Sequence, residues 1–215
     1  RAAFSGASDF RNYFPIRVCN TPGVLSLLHE AGIGFLCGGA VELEAARRAG
    51  AAGEEILFAA AFPREADLRT AYEMGAALYL DSPSPLDCLE AAGLRPGRLI
   101  LGAALRTEPK HIPALRGNFR FGMEPDDLIL AAKRGAALGA KLGLQVYAGT
   151  SAEPGFLEKK ARYLLRVKQE VESGSGTAID LLDLSGSLPA VDRQGKLLKI
   201  GAEAAGVLDA LREAG

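Results

Sequence analysis

The sequence contains no tryptophan and very few of the residues that build metal sites or disulfide frameworks. Its three cysteines, Cys19, Cys37 and Cys88, are an odd number with no Cys-x-x-Cys pair. This usage is typical of reduced thiols in a cytoplasmic protein and excludes a small disulfide-stapled scaffold. The two histidines, His29 and His111, have no ligand spacing with a cysteine, so no metal site is predicted.

An excess of charge of one sign is also missing, as is any long apolar run. Lys and Arg number 25 and Asp and Glu 26, which gives a formal net charge of -1 with no basic stripe. A nucleic-acid partner is therefore not expected. No window reaches the roughly 18 apolar residues of a membrane span, so no membrane association is expected. The chain has 215 residues, 48% of them hydrophobic, and residues 1–215 are predicted to form one soluble domain.

What is present is a repeated pattern of a short apolar run, a loop, and an amphipathic stretch that ends near a glycine. The pattern predicts seven strands, at residues 14–19, 33–37, 56–61, 77–81, 98–105, 143–149 and 178–185. It also predicts seven helices. The first has Pro22 in its first turn, the second runs from Val41 to about Ala49, the third from Pro63 to Gly75, and the fourth follows Ser84 and Pro85. The fifth runs from Pro125 toward Gly139, the sixth from Pro154 to about Val171, and the seventh from about Lys196 to Ala214. Strands alternating with helices imply a parallel sheet, and the repeated short crossovers favour an α/β barrel over an open doubly wound sheet.

Several segments resemble, in order, the motifs of one known family. They include Val-Cys-Asn at 18–20, Gly-Phe-Leu-Cys at 34–37, Leu-Asp-Ser at 80–82, Arg-Phe-Gly-Met at 120–123, Val-Tyr-Ala-Gly-Thr at 146–150 and Asp-Leu-Ser-Gly-Ser-Leu-Pro at 183–189. Together they resemble the fold type III pyridoxal-phosphate (PLP) decarboxylases of the ornithine/diaminopimelate type, whose barrel is of the alanine-racemase kind. The resemblance implies a TIM-type (β/α)8 barrel with about seven βα units present. The family's eighth strand and β-domain are expected to be absent, so the domain is expected to be incomplete at its C-terminal end.

The Schiff-base lysine of that family is the largest departure. Family members read Val-Lys-Cys-Asn or Val-Lys-Ala-Asn at the end of the first strand, whereas here Arg17 or Val18 takes the lysine's place, depending on register. Neither forms an imine, because a guanidinium stays protonated and an isopropyl group has no nitrogen. Val18 and Leu36, the latter in place of an Asp that members often carry, are predicted to be core residues. No catalytic residue is predicted.

The positions that contact the cofactor in the family depart as well. Tyr147 matches the histidine that stacks on the pyridine ring, and Ser185, Gly186 and Ser187 replace a triple glycine at the phosphate. The resemblance implies that these four residues form a remnant ring and phosphate site, which binds phosphate or another small anion weakly through backbone N–H groups. An ordinary strand-to-helix turn and a half-buried tyrosine are the competing interpretation.

Other charged residues are interpreted as structural. Asp81 ends the fourth strand, where barrels place catalytic groups, but a carboxylate that caps a loop is the favoured interpretation. The basic residues of the sixth helix are predicted to form a solvated face: Lys159, Lys160, Arg162, Arg166 and Lys168.

Three functions fit these observations. The favoured one is a catalytically inactive barrel of the decarboxylase family that serves as a binding, regulatory or structural subunit and needs no cofactor. The first alternative is a PLP-dependent amino-acid decarboxylase, in which a modified lysine between Val18 and Cys19 is omitted from the printed sequence. The second is a single-domain PLP-carrier protein, which also needs a lysine at the strand end.

The predicted strand count raises a question of assembly. Seven strands leave the first and the last with unpaired backbone groups, and a buried unpaired N–H or C=O costs roughly 1 to 3 kcal/mol. The resemblance implies dimers with shared active sites. We therefore expect a homodimer, or a heteromer with a related subunit, rather than a monomer with a closed barrel.

Overall fold

In the part of the chain that the structure describes, seven parallel strands alternate with seven α-helices. The computed structural model describes residues 2–7, 9–105, 121–186, 191 and 195–214. The strands are β1 Tyr13–Pro15, β2 Gly34–Cys37, β3 Ile56–Phe58, β4 Ala77–Leu80, β5 Arg98–Gly102, β6 Lys141–Gln145 and β7 Leu181–Asp183. The helices are α1 Pro22–Glu30, α2 Ala40–Arg48, α3 Glu65–Glu73, α4 Ser84–Ala91, α5 Pro125–Ala137, α6 Phe156–Ser175 and α7 Ile200–Glu213. The predicted alternation is confirmed.

The strands form one parallel sheet in the order of the chain, from β1 to β7. The apolar side chains of the strands divide between two sides of this sheet, since successive residues of a strand point to opposite faces. One side packs on the helices and holds the large core, with Phe35, Phe58 and Leu101 among its fully buried members. The short crossovers through helices place this core between the sheet and the helices, as in α/β barrels.

The opposite side of the sheet faces a small inner cluster, which shows that the sheet curls. Leu57, Ala77 and Ile100 form its centre, and Tyr13 of β1 and Leu181 of β7 both pack against it. Side chains from the first and last strands reach one cluster only if the sheet bends around it. The fold is therefore the curled α/β barrel predicted from the sequence, although in the described residues β1 and β7 do not pair with each other.

Several strands are shorter than predicted, because apolar runs continue past the paired residues. β5 ends at Gly102 and β6 at Gln145, whereas the sequence predicts strands to 105 and 149. Val146 and Ala148 are buried without belonging to a strand. These residues are apolar because they are buried in the loop that follows the strand. In the sequence, an apolar residue in a buried loop cannot be distinguished from one in a paired strand.

The first strand differs most from its prediction. It ends at Pro15 and is followed by a 3-10 turn over Ile16–Val18, where the sequence predicts strand to residue 19. Proline has no N–H to donate to a ladder, which weakens pairing at this point. Val18 consequently faces solvent with 70% of its surface exposed, so its prediction as a core residue is wrong. Leu36, predicted core as well, packs partly buried against the inner cluster.

No helix in the described ranges is both long and apolar enough to cross a membrane.

Candidate ligand site at the carboxyl ends of the strands

The turn after β1 is where the lysine of the resembled family would lie. Ile16 anchors this turn in the core, while Arg17 and Val18 are exposed. The Arg17 guanidinium extends across the next loop, and its Nη2 lies 3.0 Å from the point that a Cβ on Gly38 would occupy. This end of the barrel therefore presents a guanidinium and an isopropyl group, and neither position supplies an amine.

Asp81, directly after β4, holds a hydrogen-bonded arrangement on the inner side of the sheet. Its Oδ1 accepts hydrogen bonds from the Tyr79 hydroxyl at 2.6 Å and from the Gly122 N–H at 2.7 Å. Burial raises the pKa of Tyr79, and the bond to Asp81 raises it further. Gly122 has a φ of +95° and lies so close to the Ala103 backbone that no side chain fits there. Asp81 therefore caps a loop, as predicted.

A second polar pair joins the ends of β6 and β7. The side-chain amide of Gln145 donates to Oδ2 of Asp183 at 2.8 Å. The Asp183 carboxyl also accepts the backbone N–H of Ser185. Burial raises the pKa of Asp183, while these bonds and the charge of Lys160 act in the opposite direction. The charge of Asp183 in turn raises the pKa of Tyr79, so the two polar groups belong to one region of the barrel interior.

Lys160 lies behind the turn that follows β7. Its side chain is completely buried, and its Nζ donates to the backbone oxygen of Leu184 at 2.7 Å and to that of Ser185. Burial lowers the pKa of Lys160 to about 8, although the charge of Asp183 acts to raise it. The prediction that Lys160 belongs to a solvated face is therefore wrong.

The sequence contains a signal for this burial. The buried positions of α6 are Phe156, Lys160, Ala161, Leu164, Val167 and Val171. Lys160 thus falls on the apolar stripe of the helix, four residues after Phe156 and four before Leu164. A lysine on such a stripe needs partners inside the protein.

The turn after β7 lies directly against the loop after β6. Gly186 has a φ of +98°, and a Cβ there would overlap the carbonyl oxygen of Gly149 and lie 3.3 Å from the Nζ of Lys160. Only glycine allows this approach without displacement of the backbone. The middle position of the predicted phosphate segment thus retains the residue that lets two loops close on each other.

The other predicted site residues are placed as follows. Ser185 is partly buried in the turn. Tyr147, on the loop after β6, is 36% exposed and packs edge-on against Phe121 with 5.2 Å between ring centroids. Ser187 lies outside the described residues. The structure thus brings Gly186 to the loop that carries Tyr147 and adds Gln145, Asp183 and Lys160, none of which was assigned a ligand role from the sequence.

These features define an α/β barrel whose strand ends carry the polar groups. The family described as pyridoxal-dependent decarboxylase, pyridoxal binding domain, matches residues 2–214. The chain belongs to this family.

Solved structures of similar fold include several decarboxylases. Diaminopimelate decarboxylase from M. jannaschi has a TM-score of 0.86 and 15% identity, and the match covers 99% of this chain and 53% of that one. Diaminopimelate decarboxylase from Helicobacter pylori has a TM-score of 0.79 and 19% identity, with 98% and 55% covered. Lysine/ornithine decarboxylase from Vibrio vulnificus has a TM-score of 0.78 and 18% identity, with 99% and 55% covered. The chain spans about half the length of these proteins.

A curated relative is similar over a shorter stretch. Protein TabA of Pseudomonas amygdali pv. tabaci is 38% identical over 80 residues, which is 37% of this chain and 19% of TabA.

The described residues fit the PLP that the family implies only in part. Gly186 leaves the turn after β7 without a side chain, so its backbone N–H is open to a phosphate group, although the Gly149 atom that lies against it is a carbonyl oxygen. At the end of β1, however, Arg17 and Val18 supply no amine for a covalent bond to the aldehyde. The β1 end therefore does not fit covalently attached PLP.

Proposed function

We propose that this barrel is a non-catalytic member of its family, which binds a phosphate-bearing or other small anionic ligand without a covalent bond and acts as a binding, regulatory or structural subunit. The observation that carries the proposal is the turn Ile16–Val18, in which the exposed Arg17 and Val18 place a guanidinium and an isopropyl group where an amine is required. The buried polar groups between β4 and β7 support retained ligand binding rather than chemistry.

The amine is tested directly by reductive trapping. We expect that incubation with PLP followed by borohydride leaves no stoichiometric pyridoxyl-lysine at a strand end, and that ornithine, lysine, arginine and diaminopimelate are not decarboxylated. The variants Arg17→Lys and Val18→Lys serve as matched controls, since each returns an amine to one of the two registers. Labelling in one variant and not in the natural chain would support the proposal and identify the register.

A PLP-dependent amino-acid decarboxylase is the second candidate, and Lys160 is the observation that favours it. Because burial lowers its pKa to about 8, more of this amine is neutral near pH 7 than of an ordinary lysine. Its Nζ nevertheless already donates to two backbone oxygens. A borohydride label mapped to Lys160 at one per chain would overturn the non-catalytic proposal in favour of this candidate.

A modified lysine after Val18 is tested by intact mass. The chain as printed has a mass of 22.5 kDa, and an additional lysyl residue with its modification adds to that value. A mass that agrees with the printed sequence rejects both this alternative and a PLP-carrier function that depends on such a lysine.

The proposal includes a partner subunit, either a second copy or a related chain. β1 and β7 form the two edges of the sheet in the described residues. Edge strands present unpaired N–H and C=O groups that another strand can satisfy. Light scattering of the 215-residue chain should show an oligomer. A monodisperse monomer, with slow amide exchange on both edge strands, would reject this part of the proposal.

A further inference from the structure

Lys160 is a fully buried lysine that is bound to the turn following β7. Its ammonium donates to the backbone oxygens of Leu184 and Ser185 and lies 5.2 Å from the centre of the Phe156 ring. A buried ammonium costs several kcal/mol to desolvate unless its hydrogen bonds are satisfied. Two backbone oxygens of one turn supply those bonds, so Lys160 and the turn fix each other.

This contact determines which groups of the turn face away from Lys160. In a planar trans peptide, the C=O and the N–H of the same unit point in opposite directions. Because the oxygen of Ser185 points to Lys160, the N–H of Gly186 points away from it. The N–H of Ser185 is already used by the Asp183 carboxyl. The N–H of Gly186 is therefore the donor of this turn that points away from Lys160 and is not taken up by Asp183.

Among the described residues, two acidic side chains lie near Lys160 or its helix. Asp183 faces it from β7, and burial raises the pKa of that carboxyl. Glu203 of α7 lies at the first turn of α6, where its two oxygens accept the N–H groups of Gly155 and Leu157. The carboxylate of Glu203 is thus engaged by backbone donors. Asp183 is the acidic neighbour whose negative charge partly offsets the positive charge of Lys160.

We propose that Lys160 is the buried cation that positions the Leu184–Gly186 turn for an anion and supplies the charge that attracts it, an inference that rests on the anion binding proposed above. The ligand class is a small oxyanion, either free or as the phosphate group of a larger molecule. The ammonium acts through the turn and through its field, and it forms no bond to the ligand. Lys160 is accordingly a positioning residue.

The test uses sulfate, which keeps its two negative charges across the pH range needed. Sulfate affinity is measured by chemical-shift titration from about pH 6.5 to about pH 9.5, a range that spans the pKa of about 8 of Lys160. Below that pKa the side chain is a cation and above it is neutral, so the affinity should fall as pH rises. We expect a loss of roughly tenfold in the natural chain. Lys160→Gln should bind about as weakly at every pH, whereas its neighbour Lys159→Gln should behave like the natural chain.

The outcomes separate this inference from the proposed function. No sulfate-induced shifts at Ser185 or Gly186 in the natural chain would overturn both. Binding that is independent of pH, or an unchanged affinity in Lys160→Gln, would overturn the role of Lys160 and leave anion binding in place.

A second measurement on the natural chain keeps the inference testable if Lys160→Gln does not fold. Binding and protonation are reciprocal, so bound sulfate should raise the pKa of Lys160, observed at its side-chain carbon resonances. A pKa that sulfate does not change would overturn the inference. Inorganic phosphate and pyridoxal phosphate, compared with pyridoxal, then show whether a free or an attached phosphate group binds.

Discussion

The end of the barrel formed by the carboxyl ends of the strands, here called the mouth, has two halves that differ in the polarity and burial of their side chains. Around β1 to β3 the mouth presents apolar side chains to solvent, with Val18, Val41 and Phe62 exposed by 70, 82 and 95%. Around β4 to β7 it holds partly or fully buried polar groups that are bonded to one another or to the backbone, including the pairs Tyr79 with Asp81 and Gln145 with Asp183.

The physical costs of change differ between these halves. A side chain in an exposed turn can be replaced with little effect on folding. The barrel can therefore be stable without a lysine at the positions of Arg17 and Val18. A buried polar group cannot be removed alone, because each partner left behind costs roughly 1 to 3 kcal/mol. The half that would hold a covalent cofactor is therefore free to vary, whereas the half that would hold an anion is constrained by its own hydrogen bonds.

Among the test variants, leaving aside the core control Phe58→Ala, the largest effect is expected at the turn after β7. Gly186→Ala should lower the free energy of unfolding by roughly 2 to 4 kcal/mol, because alanine is strained at a φ of +98° and its Cβ overlaps the Gly149 oxygen. The matched control is Gly176→Ala, at a φ of +73° with no atom within 4 Å of the new Cβ. Gly176→Ala measures the cost of backbone strain alone. Urea unfolding gives the free energy of unfolding of both variants, and the difference between their losses is the cost of the overlap with the Gly149 oxygen. Equal losses in both variants would show that the contact between the two loops is not tight.

A smaller effect is expected at the end of the same strand. Asp183→Leu leaves the Gln145 amide and the Ser185 N–H without their acceptor, and we expect a loss of roughly 1 to 3 kcal/mol in unfolding free energy. Asp180→Leu, at an exposed position just before β7, should change stability by less than about 0.5 kcal/mol. If both variants unfold at the same urea concentration, the polar half is not constrained in the way described.

The smallest effect is expected in the apolar half. Phe62→Ala should change the free energy of unfolding by less than about 0.5 kcal/mol, because the ring is 95% exposed. Phe58→Ala, four residues earlier and fully buried on β3, should cost roughly 3 to 5 kcal/mol. A loss above about 1 kcal/mol for Phe62→Ala in thermal unfolding would show that a second copy covers this half of the mouth.

Individual residues show how far the sequence leads. Asp81 could be interpreted as a loop cap because a carboxylate at a strand end has nearby N–H groups to accept. Lys160 could not be separated from Lys159 by composition, and only its place on the apolar stripe of α6 marks it. The apolar run around Val18 predicts a core residue in a strand, whereas the structure places Val18 in a 3-10 turn after Pro15.

The sequence by itself determined that seven strands alternate with seven helices and that the chain resembles the decarboxylase family. It also determined that the end of the first strand carries no amine. Each of these depends on periodicity or on residue identity, which are local properties of the chain. Only the tertiary structure decided that the ammonium of Lys160, on α6, meets the oxygens of the turn after β7, and that Gly186 closes against Gly149. Those contacts join groups more than 20 residues apart, and their positions follow from the curl of the sheet and the packing of the helices on it, which no local pattern encodes.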